Sequence, residues 1–195
     1  MTAPAVVRPD RDLVAAEEAA RAFLAALGWD LNTPSTRDTP HRMAKAYADL
    51  ASPRQFTPTA FDNEEGCDQL IVQQAIPFAS VCEHHCLPFV GSVDFGYLPG
   101  SQIIGLSKLA RGVELFARGP QVQERLTSQI ANWLVETLRP KGVGVVVRAE
   151  HMCMRLRGAQ VSGTLTITSA LRGLVLDDPR TRSEFYSFVN AGAGR

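Results

Sequence analysis

Apolar residues recur with a helical period over DLVAAEEAARAFLAALG, where Leu13, Ala16, Ala20, Phe23, Leu24 and Leu27 form one stripe and Gly28 closes it. A second helix is predicted over DTPHRMAKAYADL, with Thr39 as N-cap, Pro40 at the first helical position, and Met43, Tyr47 and Leu50 on one face. The stretch from Ala51 to Gly66 is rich in turn formers, and beyond it the period shortens to two. QLIVQQAIPFASV and FVGSVDFGYLP read as strands, with Pro77 marking the first as an edge strand or a bulged one. Two amphipathic helices follow. SKLARGVELFAR sets Leu109, Val113 and Phe116 together, and PQVQERLTSQIANWLVETLR sets Val122, Leu126, Ile130, Trp133 and Leu134 together behind Pro120. GVGVVVRAEHMCMRL and QVSGTLTITSAL then read as two more strands, and DPRTRSEFYSFVN as a short closing helix.

This order predicts an α+β fold. The expected architecture is a four-stranded antiparallel sheet with two helices on one face, in the order ββααββ, preceded by N-terminal helices and followed by a short C-terminal helix. The expected division is residues 1–55, a tail and two helices, and residues 56–195, the sheet domain. The first dozen residues, with two prolines and mixed charges, are expected to be a loose tail.

Composition narrows the function classes. The 195 residues are 45% hydrophobic and 21% charged, ordinary for a soluble domain with a good core. Twenty basic residues balance twenty acidic ones, so no bulk field draws in nucleic acid or an anionic membrane, and any anion must be held by a local cluster. No apolar run approaches membrane length, and MTAPAVVRPDRD has no apolar core of the signal-peptide kind. A cytoplasmic protein with reduced thiols is the expectation. Cys67, Cys82, Cys86 and Cys153 are too sparse for a disulfide scaffold and point to metal or catalysis.

Two short clusters carry the candidate chemistry. SVCEHHCLPF holds Cys82, His84, His85 and Cys86, and the C-x-x-H spacing of Cys82 and His85 lets one turn of chain wrap a metal. AEHMCM holds His151 and Cys153, which on a strand would face one side together. Thiolate and imidazole are the ligands zinc prefers. Spacing alone leaves open a closed structural site with four protein ligands and a catalytic site with three.

CEHH, GLSKLAR, PQVQERLT, HMCMRLRG and TSALRG, in that order between Asp38 and Asn190, resemble the GTP cyclohydrolase I family. The resemblance implies the tunnelling fold. It implies a zinc ion on Cys82, His85 and Cys153 with a position left for water, and so a catalytic centre. The implied reaction opens the imidazole ring of GTP, releases formate, and rearranges the ribose to give 7,8-dihydroneopterin triphosphate. His84 and His151 become the acid–base groups around N7, since an imidazole titrates near neutrality. Ser107 matches the hydroxyl beside the ribose and triphosphate, and could also cap the helix that starts there. Glu124 matches the carboxylate that reads guanine N1–H and the 2-amino group, with Gln123 beside it. Lys108, Arg111, Arg157 and Arg42 match the triphosphate cations, Arg42 reaching in from a neighbouring subunit. The implied assembly is a homodecamer of two stacked pentamers with sites between subunits. His41 is expected at the surface, Glu83 in a structural role, and Cys86, where the family has an apolar residue, as a packed thiol. Gly112, Gly119, Ala79 and Cys86 depart from the family pattern without removing a catalytic group. Folate synthesis and a specialised pterin or deazapurine pathway both fit.

Overall fold

The computed structural model describes residues 10–191. The tail expected over the first dozen residues lies largely outside them. Two compact units are present, one ending at Ser52 and the other beginning at Pro53.

The first unit is a helical hairpin of α1 (Leu13–Ala26) and α2 (Thr39–Leu50). Asp12 caps α1 by accepting from the Ala15 amide at 2.9 Å, and Gly28 leaves the helix at φ +82°. The N-cap of α2 is Asp38, so Thr39 and Pro40 both lie inside its first turn, one residue away from the expected register. Ala20, Leu24 and Ala44 are buried, whereas Leu13, Phe23 and Leu27 of the predicted stripe are exposed. The Arg11 guanidinium donates to the Ala48 and Ala51 carbonyls at 2.7 and 2.5 Å, satisfying the free end of α2. His41 is exposed and meets Glu17 at 2.9 Å.

The second unit runs β1 (Ala60–Asp62), β2 (Ile71–Cys82), β3 (Pro88–Leu98), β4 (Gln102–Ile104), α3 (Leu106–Ala117), β5 (Pro120–Gln121), α4 (Gln123–Leu138), β6 (Gly142–His151), α5 (Met152–Arg155), β7 (Thr166–Gly173), α6 (Leu174–Asp177) and α7 (Pro179–Ala191). The main sheet has the order β5-β2-β3-β6-β7. Its four long strands are antiparallel to their neighbours. Two short pieces were not anticipated. β5 pairs in parallel with Val81 and Cys82, and β1 pairs with β4 in a separate ribbon. Both arise where loop backbone passes an unpaired strand edge.

Alternation places the core. Phe89, Val93, Phe95 and Tyr97 of β3 and Val143, Val145, Val147 and Ala149 of β6 are buried in one cluster with Leu109 and Val113 of α3 and Leu126, Ile130, Trp133 and Leu134 of α4. Gly112 explains how closely α3 meets α4: a Cβ there would lie 2.3 Å from the Trp133 ring. On the other face Phe185 of α7 covers Gly96 and Gly144, which pair across β3 and β6. The bulge in β2 falls between Gln73 and Ile76, just before Pro77. Asp94 holds it by accepting from the Ala75 amide at 2.8 Å while ion-paired to Arg148. No helix among the described residues is long and apolar enough to cross a membrane.

Candidate metal centre

β2 ends at Cys82, and the chain turns back at once into β3. The turn is closed from both sides: the Cys82 amide donates to the Leu87 carbonyl at 2.9 Å, and the Cys86 amide donates to the Cys82 carbonyl at 2.9 Å. Glu83 is tied to β5 through its amide, 3.1 Å from the Gln121 carbonyl, and its carboxylate is ion-paired with Arg125. That pairing holds the Glu83 carboxyl below its ordinary range. It also fits the structural role expected of Glu83.

Within this turn Cys82 Sγ lies 3.7 Å from His85 Nδ1. Cys153 closes the group: one ligand atom from each of Cys82, His85 and Cys153 lies within 4.8 Å of the others. Zinc bonds of about 2.0–2.3 Å are compatible with such a spacing. Burial, and next the neighbouring Cys82 thiol, push the Cys153 thiol up. Two converging thiols of this kind ionise together only beside a cation, so the donor set fits a divalent metal. Cys82 is buried and His85 is exposed, so the group opens to solvent on the imidazole side. Among the described residues neither His84, His151 nor Cys86 joins the group. Cys86 is exposed, at φ +54°, which corrects the expectation of a packed thiol.

Cys153 arrives differently from the expected route. The predicted strand through HMCMRL stops at His151, which is the last β6 residue paired to β3, opposite Phe89. Beyond Phe89 the partner strand has only Pro88 and the metal turn to offer, so Met152–Arg155 coils into α5. Cys153 therefore reaches the group from a helical turn, and Arg157 follows in an exposed loop rather than on a strand. Its positive charge still pulls the Cys153 thiol down slightly.

His151 is packed tightly. Its ring stacks on Phe89 with centroids 4.6 Å apart and planes 3° apart. Its Nε2 lies 2.8 Å from Gln123 Oε1. Burial pushes its pKa down, and the Glu124 carboxylate pulls it partly back. Glu124 is thus the exposed acid nearest in effect, in the first turn of α4. Gln123, expected beside it at the guanine, is 2% exposed, and its side chain is engaged inside the protein. Neither this engagement nor the Phe89 stack has a signal in local sequence.

The remaining predicted residues lie elsewhere. Ser107, Lys108 and Arg111 sit on the first half of α3, whose N-cap is Gly105, so Ser107 is not the cap. The strand leading into α3 bonds the Tyr97 hydroxyl through the Ile104 amide at 3.2 Å. Tyr97 lies eight residues along β3 from Phe89, about 26 Å at 3.3 Å per residue. One chain therefore holds the thiols near one end of its sheet and the start of α3 near the other. Arg111 lines a groove of about 480 Å³ with Arg54, Arg118, Glu114 and the Ile76–Ala79 edge of β2. Arg42 is on α2 in the first unit, where it donates to the Ser35 carbonyl at 2.8 Å.

A family model described as GTP cyclohydrolase I matches residues 16–190. GTP cyclohydrolase 1 of Aquifex aeolicus is 46% identical over 173 residues, covering 89% of this chain and 94% of that protein. GTP cyclohydrolase 1 of Wolinella succinogenes is 44% identical over 181 residues, covering 90% and 96%. GTP cyclohydrolase 1 of Bacillus mycoides is 45% identical over 179 residues, covering 89% and 94%.

Proposed function

Since this chain belongs to the GTP cyclohydrolase I family, we propose that it hydrolyses GTP to formate and 7,8-dihydroneopterin triphosphate at the Cys82–His85–Cys153 centre. The observation that carries the reading is the convergence of two thiols and one imidazole from separate segments, with His151 two residues from Cys153. Two thiolates and an imidazole favour zinc among divalent ions. Bound there, zinc would supply Lewis acidity that lets water ionise near neutral pH for attack at C8.

The chain's own groups do the rest. His151 and His84 exchange protons at N7 and at the opening ring. The Glu124 carboxylate accepts from guanine N1–H and the 2-amino group, which orients the base. The Ser107 hydroxyl assists at the ribose oxygen. Lys108, Arg111, Arg157 and Arg42 neutralise the triphosphate, helped by the free amides at the start of α3.

We assign the sheet domain to the tunnelling fold. The separation of α3's N-terminus from the thiols supports a site completed by another copy. The edge of β7 and the edge of β2 before Val81 support strand pairing between copies, a pentameric ring, and two rings stacked as a decamer. A cytoplasmic location keeps the thiols reduced.

The test is direct. Zinc-loaded protein incubated with GTP should release formate and, after oxidation, a fluorescent pterin in equal amount. Absence of both ends the reading. Formate without pterin leaves ring opening alone and puts the assignments of Ser107 and His151 in doubt.

A further inference from the structure

Gln123 is the first residue of α4, and both ends of its side-chain amide are engaged. Nε2 lies 3.1 Å from the Val147 carbonyl, 2.9 Å from the Thr166 carbonyl and 3.2 Å from Thr168 Oγ1. Carbonyl oxygens only accept. Turning the amide over would set Oε1 against two of them, so its orientation is fixed by chemistry. Oε1 then faces His151 Nε2 at 2.8 Å, and it too can only accept. The hydrogen in that bond therefore belongs to the imidazole.

The hydroxyls behind the amide agree with this direction. Thr127 Oγ1 donates to the Gln123 main-chain carbonyl at 2.7 Å, which leaves it to accept from Thr168 Oγ1 at 2.6 Å. Thr168 Oγ1 in turn accepts from Gln123 Nε2. The direction of donation along Thr127, Thr168, Gln123 and His151 is thereby set, and backbone carbonyls at its fixed points oppose reversal. The relay is buried: Gln123 is 2% and Thr127 1% exposed.

We propose that Gln123 is a positioning residue that holds neutral His151 as the Nε2–H tautomer, and so selects Nδ1 as the atom that exchanges a proton with the substrate. The proposal rests on the reading above, in which His151 does proton work. Neutral imidazole has one N–H, so fixing it on Nε2 leaves a lone pair on Nδ1. Among the described residues no hydrogen bond engages Nδ1. The Phe89 stack fixes the plane in which that lone pair points. When Nδ1 accepts a proton the ring becomes imidazolium, and when Nδ1 returns it to a purine nitrogen the ring is neutral again. In both states Nε2 still donates to Gln123 Oε1, so the relay carries a full proton cycle without any rearrangement.

Two measurements test this. In zinc-loaded protein labelled with ¹⁵N-histidine, solid-state ¹⁵N spectra at a pH where His151 is neutral should show Nε2 protonated and Nδ1 bare, assigned by comparison with His151→Gln. The opposite tautomer, or a mixture, overturns the proposal. Gln123→Met should lower kcat about 10–100-fold. KM for GTP should stay within about twofold, because uniform substrate binding is untouched, and zinc content should be unchanged. A raised KM with kcat kept would make Gln123 a substrate contact instead, and unchanged kinetics would make the relay mere packing. If Gln123→Met does not fold, the wild-type spectrum still decides. Should the wild-type protein release no formate from GTP, the functional reading fails, while the spectrum judges the tautomer independently.

Discussion

The metal end of the sheet and the start of α3 carry the same family motifs but are built in opposite ways. At the metal end Cys82, His151 and Gln123 are held by their own chain, while His84 and His85 are exposed. Cys82 closes a turn, His151 is stacked and bonded, and Gln123 is saturated. At α3 the N-cap makes no side-chain bond, and Ser107 and Arg111 are exposed. On the function proposed above, the chemistry half of the site is built within one chain, whereas the recognition half awaits a second copy. Preorganisation is concentrated where charge must develop in a fixed place, which is where it is worth most.

The largest effect that could break this contrast comes from Cys153→Ser. It should remove stoichiometric zinc and cost about 4 kcal/mol or more of transition-state stabilisation, on the order of 10³-fold in formate release. Metal analysis and a formate assay read both. Zinc affinity of the unaltered protein should fall as pH falls, because the thiols must lose protons to bind and burial already raises Cys153. Titration with a competing chelator across pH gives the slope, and a flat profile would remove the thiols from the ligand set.

Next comes Lys108→Ala, expected to cost about 1.5–3 kcal/mol in kcat/KM through one lost charge-assisted phosphate contact. Its use is in mixing. Oligomers assembled from equal amounts of Lys108→Ala and Cys153→Ser chains should regain activity at about a quarter of their sites, since random assortment pairs an intact metal end with an intact α3 at that frequency. No recovery in verified mixed oligomers would put both halves on one chain.

Gly112→Ala tests the packing that carries α3. The new methyl would lie 2.3 Å from Trp133, and the overpacking should cost about 1–3 kcal/mol despite the better helix former. Thermal melts should drop by about 2–4 °C per kcal/mol. A rise in Tm would mean that Trp133 moves aside freely.

The smallest effect concerns the groove beside Arg111. Arg54 bonds Glu114 through Nε at 3.0 Å, and first by that bond holds the Glu114 carboxyl below its ordinary range. A depressed carboxyl adds stability that is present above its unfolded pKa and lost as pH falls through the folded one. Glu114→Gln should therefore cause a small loss of stability at neutral pH, small because Arg54 is largely exposed, and that loss should vanish as pH falls through the folded pKa of Glu114, which flattens the acid limb of the profile. A loss that persists undiminished at low pH would point to packing rather than charge.

Much of this was legible in the sequence. The alternation in β3 and β6 and the stripes of α3 and α4 point to the core directly, and two Cys/His clusters mark a candidate metal site. What the sequence could not carry was tertiary. HMCMRL has the period of a strand, and only the end of its partner at Phe89 turns it into a helix. Gln123 and Glu124 are neighbours in sequence, but adjacent helical residues do not share a face, so one is buried and the other exposed. Cys86 reads as an apolar substitute until the left-handed turn at +54° swings it outward. The choice of three ligands among several candidates came from resemblance, not from spacing.

The chain has two tryptophans, and each compact unit holds one: Trp29, 52% exposed, and Trp133, 2% exposed. An indole in water emits to the red of one sealed in hydrocarbon, and a soluble quencher reaches only the former. Intrinsic fluorescence thus supplies two separable optical reporters without any label, and Trp29→Phe would isolate the buried one. Denaturation followed at both wavelengths would reveal whether the helical hairpin and the sheet domain come apart in one cooperative event or in two.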